Sequence, residues 1–458
     1  MRLPARASVA LGLALVAAYA AVQTLALPEP VPTIWLAVAV GLTLLSPLGG
    51  LTIAAAIGPF TEALTDSGQI TAMPYLLAAL GVAVLVRVVI TRPLPRPSWP
   101  VVLGLLLMIG TALGVVNSYL SYGDELGRQA AEMWVPSIGG AMTVLIAAAW
   151  VGWRESVAPF FIAIASSASA AILSVVNLET NGFLRQSTAI GWLLREETTG
   201  NRLTGIIPAP NPAAVIFLLG FAGALALAVL AFRRWWTRLL PLPIAAACLA
   251  AIFLTGSRSG MLGAAVATTL ILIAWHWRVG LAAGVALIAT IIALIPAGII
   301  RDVPIAAEQT RIDAWVATLR LWSQHPIFGA GFRSFEWLHP DVGSAVVNAP
   351  HNEWLRFLAE EGIVLGLVGL AFALLTPIVL LRANNWIAAT GAAVAAGAFV
   401  AANFNNPFIY TQVNVALFTM IGIGLGLAVR RRNGVGPERL TSSSAAPVQP
   451  AAQPARTS

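Results

Sequence analysis

Long apolar runs separated by short polar segments make up most of this chain. Runs of about 20 apolar residues are long enough to cross a bilayer as helices. The pattern predicts an all-α, polytopic membrane protein with candidate spans at 8–26, 33–47, 50–64, 73–91, 101–119, 135–152, 158–177, 211–232, 240–255, 260–275, 279–300, 362–381, 386–402 and 411–429. The second and third runs are short and are divided by Ser46–Gly50, so they can form one broken hairpin. We therefore predict twelve to fourteen transmembrane helices.

Composition supports a membrane protein. Hydrophobic residues make up 58% of the chain, charged residues only 10%, and the mean hydropathy is +0.84. Soluble domains carry about 25% charged residues. The net charge of +7 comes from arginines at the ends of the apolar runs, which indicates anchoring of helices at the membrane surface and no nucleic-acid partner. The single cysteine, Cys248, lies in an apolar run and is expected to pack in the core.

The first twenty residues resemble a signal peptide, with two arginines followed by an apolar run. Because many further apolar runs follow, we expect an uncleaved first helix. The tail from about Asn433 is rich in Ser, Ala, Pro and Gln and is predicted to be a disordered cytoplasmic extension.

The arginines also predict the orientation. With a cytoplasmic N-terminus, the even-numbered gaps between the spans face inward. These gaps carry Arg92, Arg96, Arg154, Arg233, Arg234, Arg238, Arg278, Arg382 and Arg430–Arg432, as the positive-inside rule requires. The polar segments 121–133, 177–210, 254–260, 301–361 and 403–412 then face outward, and chemistry is expected there.

The longest of these segments, 301–361, contains three of the four histidines. Its apolar residues from Ala306 to about Gln324 recur with helical spacing and predict an amphipathic helix on the outer membrane surface, ending at His325-Pro326. Arg311 lies in this helix. It either binds an anionic substrate or simply pairs with Asp313.

His351 is predicted to lie in the first turn of a second helix, with Asn348 or Ala349 as the N-cap and Gly362 stopping or bending the helix. The positive end of a helix disfavours imidazolium, so a neutral histidine that acts as a general base is one interpretation. A histidine that only caps the helix is the other. His325 and His339 each adjoin a proline and are expected to be structural.

Two more arginines lie in outward-facing turns. Arg258 joins two spans, and Arg202 precedes Pro210-Asn211-Pro212 at the start of a span. An outward-facing arginine at membrane depth is unusual, and a phosphate ligand would explain it, since guanidinium binds phosphate with paired donors. No HExxH pattern, nucleotide-binding loop or nucleophile elbow occurs in the chain. The sequence therefore predicts neither a metal site nor a cofactor.

Several segments, in this order, resemble the O-antigen ligase and Wzy-type polymerase family. The resemblance covers about residues 200–382 and rests on Arg202–Pro212, Thr255–Gly260, Arg311 with Trp315, His325–Gly331, and Pro350–Leu355 before Glu361–Ile363. It implies a domain at 201–432 that includes the loop 301–361, preceded by an N-terminal transmembrane bundle at 1–200 and followed by the tail 433–458.

The resemblance implies a metal-independent, inverting glycosyltransferase of the GT-C type in the bacterial cytoplasmic membrane, with its active site outside the cytoplasm. The donor would be an undecaprenyl-pyrophosphate-linked oligosaccharide and the acceptor a glycan, lipid or protein. His351 would be the catalytic base, and Arg311, Arg258 and Arg202 would bind the pyrophosphate. Supporting roles would fall to Asn352, Asn211 and Glu353.

The resemblance leaves open whether the enzyme is a polymerase or a ligase, because the two differ in the acceptor. A chain-length regulator or a flippase are possible partners. A different class, a polysaccharide flippase or exporter, would need a charged central pathway. The predicted spans contain few ionisable residues, which favours the enzyme.

Overall fold

A computed structural model describes residues 3–25, 30–60, 72–90, 97–179, 202–204, 209–232, 234–294, 305–341 and 349–433. The chain folds there into α1 (Ala5–Thr24), α2 (Val31–Leu45), α3 (Pro47–Ile57), α4 (Ala72–Ile90), α5 (Trp99–Tyr122), α6 (Asp124–Trp134), α7 (Gly140–Arg154), α8 (Ala158–Glu179), α9 (Pro210–Ala226), α10 (Trp235–Arg238), α11 (Leu242–Leu254), α12 (Arg258–Trp275), α13 (Trp277–Leu294), α14 (Ile305–Gln324), α15 (Ser334–Leu338), α16 (Glu353–Arg382), α17 (Trp386–Ala401) and α18 (Thr411–Arg432). Most of the predicted tail, from residue 434 onwards, lies outside the described residues.

The predicted all-α, polytopic membrane fold is confirmed. Within the described ranges, 10 helical segments are long and apolar enough to cross a membrane. Shorter apolar helices occur at Val31–Leu45, Pro47–Phe60, Trp277–Thr290 and Trp386–Ala401. Every predicted span overlaps one of these long or short segments, and residues 61–64 and 295–300 of the predicted spans lie outside the described residues. The short second and third runs form the separate helices α2 and α3, which meet at Ser46.

Residues at the helix ends explain where many of these helices begin and stop. Proline occupies the first turn of α2, α3, α5, α9 and α11, where its missing N–H costs no hydrogen bond. Arginine occupies the last turn of α4, α7, α16 and α18, where it stabilises the negative end of the helix. Arg431 also donates hydrogen bonds to the carbonyl oxygens of Ala383 (2.8 Å) and Asn384 (2.6 Å).

The centre of the bundle is formed by α7, α9, α17 and α18, whose side chains are mostly buried. Small residues allow these helices to approach closely. In α18, Gly422 and Gly426 face the backbone oxygens of Leu145 and Ala149 in α7. Thr411 at the start of α18 also donates a hydrogen bond of 2.8 Å to the carbonyl oxygen of Pro136, just before α7. Helices α7 and α18 therefore run in the same direction.

Arginines at the ends of three helices lie together at one end of the bundle. Arg154, Arg382 and Arg431 lie at one end, since α7 and α18 run in parallel and Arg431 binds the residues that follow Arg382. The loop after α17 lies at the other end, where the N–H of Glu353 donates a hydrogen bond of 2.9 Å to Ala402. His351 is thus at the end of the bundle opposite to these arginines.

A break at Gly362 divides α16 into two segments. Gly362 has φ +76°, and Gly329, in the turn after α14, has φ +73°. The turn and the break are joined by backbone hydrogen bonds from Ala330 to Ala359, Gly331 to Glu360 and Ile363 to Pro326, each of 2.9 Å. A Cβ atom on Gly329 would collide with the backbone of Glu360, and one on Gly362 would collide with Ile327. Both positions therefore require glycine.

Helix α5 holds the same turn from the other side. The hydroxyl group of Tyr122 donates to the carbonyl oxygen of Ala330 at 2.8 Å, and that of Ser118 donates to Phe332 at 2.9 Å. The turn is therefore fixed between α5 and α16.

We predict that Gly362→Ala lowers the melting temperature of the purified protein and abolishes its activity. The substitution combines about 1–3 kcal/mol of strain, from a backbone conformation that essentially only glycine adopts, with a backbone collision. Gly369→Ala is the matched control, because its added methyl group would meet only ordinary contacts of 3.8 Å and 3.9 Å in the same helix. Equal melting temperatures for the two variants would contradict this role of the break.

Candidate active site

His351 lies immediately before α16 and not in its first turn. The helix begins at Glu353, and Asn352 is the N-cap, whose side-chain oxygen accepts hydrogen bonds of 3.1 Å from the N–H groups of Trp354 and Leu355. The expectation that Asn348 or Ala349 caps the helix, with His351 in the first turn, was therefore wrong; Asn348 itself is outside the described residues. Asparagine is a stronger cap than alanine, and capping by Asn352 moves the helix start past His351.

The backbone of His351 is left-handed, with φ +49°. Few residues other than glycine adopt this region, and histidine is one of the types that does so more often. The side chain is half-buried. His351 is thus held in an unusual conformation at the point where the chain enters the helix.

Burial lowers the pKa of His351, and the positive charge of Arg311 lowers this pKa further. Both effects act against the charged imidazolium form. At neutral pH the imidazole is therefore neutral and can accept a proton. The sequence predicted a neutral histidine from the helix dipole, whereas the structure assigns the shift to burial and to Arg311.

Arg311 reaches His351 because α14 and the first segment of α16 lie side by side. The helix predicted there is confirmed as α14, Ile305–Gln324. Its buried face, with Ala317 and Leu321, packs against Ala359 of α16. On its exposed face, Ile312, Val316 and Leu319 are each more than 40% exposed, as expected of a helix at a membrane surface.

The alternative interpretation of Arg311 was an ion pair with Asp313. No such pair occurs among the described residues. Asp313 accepts a hydrogen bond of 3.0 Å from Gln309 instead. The structure therefore places Arg311 where its positive charge acts on the imidazole of His351.

Arg202 connects two distant segments. Its Nε atom donates to the carbonyl oxygen of Thr255 at 2.7 Å, and its Nη2 atom donates to Oδ1 of Asn211 at 2.8 Å. The N–H of Leu203 also donates to Leu254 at 3.0 Å. Arg202 thus ties the turn between α11 and α12 to the start of α9.

Arg258 is the first residue of α12, directly after the N-cap Ser257. A cation at the positive end of a helix is electrostatically unfavourable. The guanidinium group and the helix start would together attract an anion. Arg258 is therefore suited to phosphate by charge and by position.

The predicted site residues form two groups at the same end of the bundle. Arg311 and His351 interact with each other, and Arg202 binds Asn211 beside the turn that carries Arg258. The groups are connected through α17, which packs against α12 and whose following residue, Ala402, accepts the hydrogen bond from Glu353.

Below His351 lies a buried ion network that sequence reasoning missed. Arg356 pairs with Glu353, and its Nη1 atom lies 3.1 Å from Oε2 of Glu360. All three side chains are almost completely buried, and Glu361 beside them is buried as well. The spacing of three and four residues is the signal that could have revealed these pairs. Glu353, expected to have a minor role, is thus part of the support of the helix start.

The remaining histidines of the loop do not join this site in any described contact. The ring of His339 lies 6.2 Å from that of Phe335, and His325 begins the turn before Gly329, whose N–H bonds to its carbonyl oxygen at 3.0 Å. Across the described ranges, no three His, Cys, Asp or Glu side chains converge so that they could hold a metal ion.

We predict that Arg356→Met destabilises the protein by about 3–5 kcal/mol, because it leaves buried carboxylates without their cation. Arg128→Met is the matched control. Arg128 pairs with Glu125 and Glu132 at the same spacings, but all three side chains are more than half exposed, so little change is expected. Thermal unfolding in detergent measures both effects. A similar loss in the two variants would contradict the role of burial.

Part of the chain matches a known protein family. Residues 243–368 match the family model described as O-antigen ligase. The matched segment contains Arg258, Arg311 and His351, whereas Arg202 and Asn211 lie before it. A search of curated proteins finds no match to the chain.

Proposed function

We propose that this chain, whose residues 243–368 match the family model described as O-antigen ligase, is a membrane enzyme of polysaccharide assembly that transfers glycan from a lipid-pyrophosphate-linked donor to a hydroxyl acceptor. The reaction is a metal-independent transfer with inversion at the anomeric carbon. It takes place on the extracytoplasmic side of the bacterial cytoplasmic membrane, with undecaprenyl pyrophosphate as the lipid carrier.

The observation that carries this proposal is the half-buried His351 beside Arg311. Glycosyl transfer to a hydroxyl group needs a base for the acceptor proton and a cation for the leaving group. The neutral imidazole of His351, before α16, and the guanidinium group of Arg311, in α14, supply these two groups.

In the proposed reaction, the acceptor hydroxyl gives its proton to the imidazole of His351. The acceptor oxygen forms a bond to the anomeric carbon from the face opposite to the pyrophosphate. The bond from that carbon to the pyrophosphate oxygen breaks, and the lipid pyrophosphate leaves with the electron pair. Arg311 and Arg258 stabilise the negative charge that develops there.

Arg311 has a second role in this scheme. Without an anion, its charge lowers the pKa of His351 and makes the imidazole a weak base. A bound pyrophosphate offsets the charge of Arg311, so that His351 can take up the proton more readily. The base is therefore strongest when the donor is in place.

Arg202 acts as a positioning residue in this proposal. Two of its nitrogen atoms are engaged by Thr255 and Asn211, and these contacts hold the turn that presents Arg258. Arg258 and Arg311 are the arginines that would contact the pyrophosphate. Asn352 contributes as the cap that sets the position of His351.

The position of the arginines supports the proposal that the site faces away from the cytoplasm. His351 lies at one end of the bundle, and the arginines that follow α7, α16 and α18 lie at the other. Arginine-rich ends are typical of the cytoplasmic side. The proposed site would then face outward.

We predict that His351→Asn lowers kcat by about a hundredfold or more, the usual contribution of a general base. Asparagine tolerates the left-handed backbone at this position, so the variant should fold and insert normally. The assay supplies purified protein in nanodiscs with a lipid-linked oligosaccharide and measures the glycan product. His339→Asn, in the same loop, is the control. Normal turnover by His351→Asn would overturn the assignment, and translocation without a new glycosidic bond would identify a flippase.

We predict that Arg311→Gln moves the acid limb of the kcat/KM profile to higher pH. Removal of the positive charge raises the pKa of His351, so the imidazole becomes protonated, and inactive as a base, at a higher pH than in the wild type. Arg320→Gln, an exposed position on the same helix, should leave the limb in place. An unchanged or lowered limb in Arg311→Gln would show that Arg311 does not act on His351.

A further inference from the structure

A cavity of about 290 Å³ lies at the end of the bundle opposite to the candidate active site. It is lined by the start of α1, the turn between α2 and α3, Arg87 near the end of α4, and Trp150, Arg154 and Glu155 at the end of α7. The proposed reaction uses none of these residues.

Two guanidinium groups in this cavity are held in place. The Nη2 atom of Arg87 donates to the carbonyl oxygen of Leu45 at 2.6 Å. The guanidinium of Arg154 lies 3.7 Å from the ring centroid of Trp153 and 5.8 Å from that of Trp150. An arginine that is already ordered loses less conformational freedom when it binds an anion.

The charge of the lining matches a singly charged anion. Arg87 and Arg154 contribute two positive charges and Glu155 one negative charge, which leaves one positive charge. A phosphodiester carries one negative charge, whereas a phosphomonoester carries up to two. Guanidinium is the side chain best suited to phosphate oxygens.

The rim of the cavity is apolar and exposed. Leu45 is 61% exposed and Leu3 is 38% exposed. Near Arg87 on α4, Val86 and Val89 are 47% and 66% exposed. In an apolar span such surfaces face lipid. A polar floor and an apolar outer surface suit an amphiphile better than a free anion.

We propose that this cavity binds the phosphodiester headgroup of a membrane phospholipid. Arg87 and Arg154 hold the phosphate, and the acyl chains follow the exposed apolar faces of α2 and α4. Basic pockets between transmembrane helices are known lipid headgroup sites. The lipid joins the N-terminal helices α1–α4 to α7 of the central bundle and stabilises their packing.

The test uses delipidated full-length protein in detergent, with native mass spectrometry and thermal unfolding as readouts. Four probes distinguish the contribution of the phosphate group from that of the acyl chains. Phosphatidylglycerol and phosphatidylethanolamine carry both a phosphodiester and acyl chains. Diacylglycerol lacks the phosphate, and inorganic phosphate lacks the chains. We expect the two phospholipids to be retained and to raise the melting temperature, and the other two probes to have no effect. Equal binding of inorganic phosphate or of diacylglycerol would overturn the proposal.

Substitutions test whether Arg87 and Arg154 bind the phospholipid. Arg87→Ala and Arg154→Ala should each weaken phospholipid retention about tenfold, the effect of one charge-assisted contact. Arg278→Ala is the matched control, because Arg278 also lies over a tryptophan, Trp277, at 5.2 Å but does not line the cavity. If the alanine variants fail to fold, phospholipid retention is measured in Arg154→Gln, which keeps a planar group over Trp153. Retention by Arg154→Gln equal to that of Arg278→Ala would refute the site.

Discussion

Backbone hydrogen bonds between the turn after α14 and the break in α16 determine where the candidate site lies. Gly329 and Gly362 allow the two backbones to meet, and Ala330, Gly331 and Ile363 donate the hydrogen bonds. With this end fixed, α14 and the first segment of α16 must lie side by side. Arg311 and His351 then meet at the far end of the same pair of helices. The chemistry therefore depends on a contact made about ten residues away along α16.

Burial of His351 makes the pKa of its imidazole sensitive to the charge of Arg311. An exposed imidazole beside an arginine would be screened by water, but a half-buried one has a lowered pKa. The helix start below it is supported by Arg356, which is buried between Glu353 and Glu360. A buried ion pair is costly to break. Asn352, Glu353 and Arg356 together keep the segment before the helix in one conformation.

Much of the fold could be predicted from the sequence, because a membrane span must satisfy its backbone as a helix and must be apolar. The end of α14 at His325-Pro326 followed from the local effect of proline. The start of α16 did not, since both Asn348 and Asn352 are good caps. The helix starts later than predicted, at Glu353. The N–H of Glu353 donates a hydrogen bond to the carbonyl oxygen of Ala402, which is distant in the sequence.

Only part of the candidate site could be predicted from the sequence, because its contacts also join residues that are distant in the chain. Arg311 and His351 were named from sequence, but their interaction depends on the packing of α14 on α16. The role of Arg202 depends on Thr255, more than fifty residues away. The spacing of Arg356 and its partners can be read from the sequence, yet Arg128 has the same spacing and is exposed. Periodicity predicts such pairs, and only the tertiary structure shows which pair is buried.

We propose that His351 is a neutral imidazole whose basicity is controlled by Arg311. An NMR titration of the histidine rings in isotope-labelled protein, with the His351 signal assigned from the His351→Asn variant, tests this directly. We expect a pKa for His351 below the ordinary value of about 6.5, and a higher pKa in Arg311→Gln. A pKa at or above 6.5 in the wild type, or one that does not change in Arg311→Gln, would contradict it.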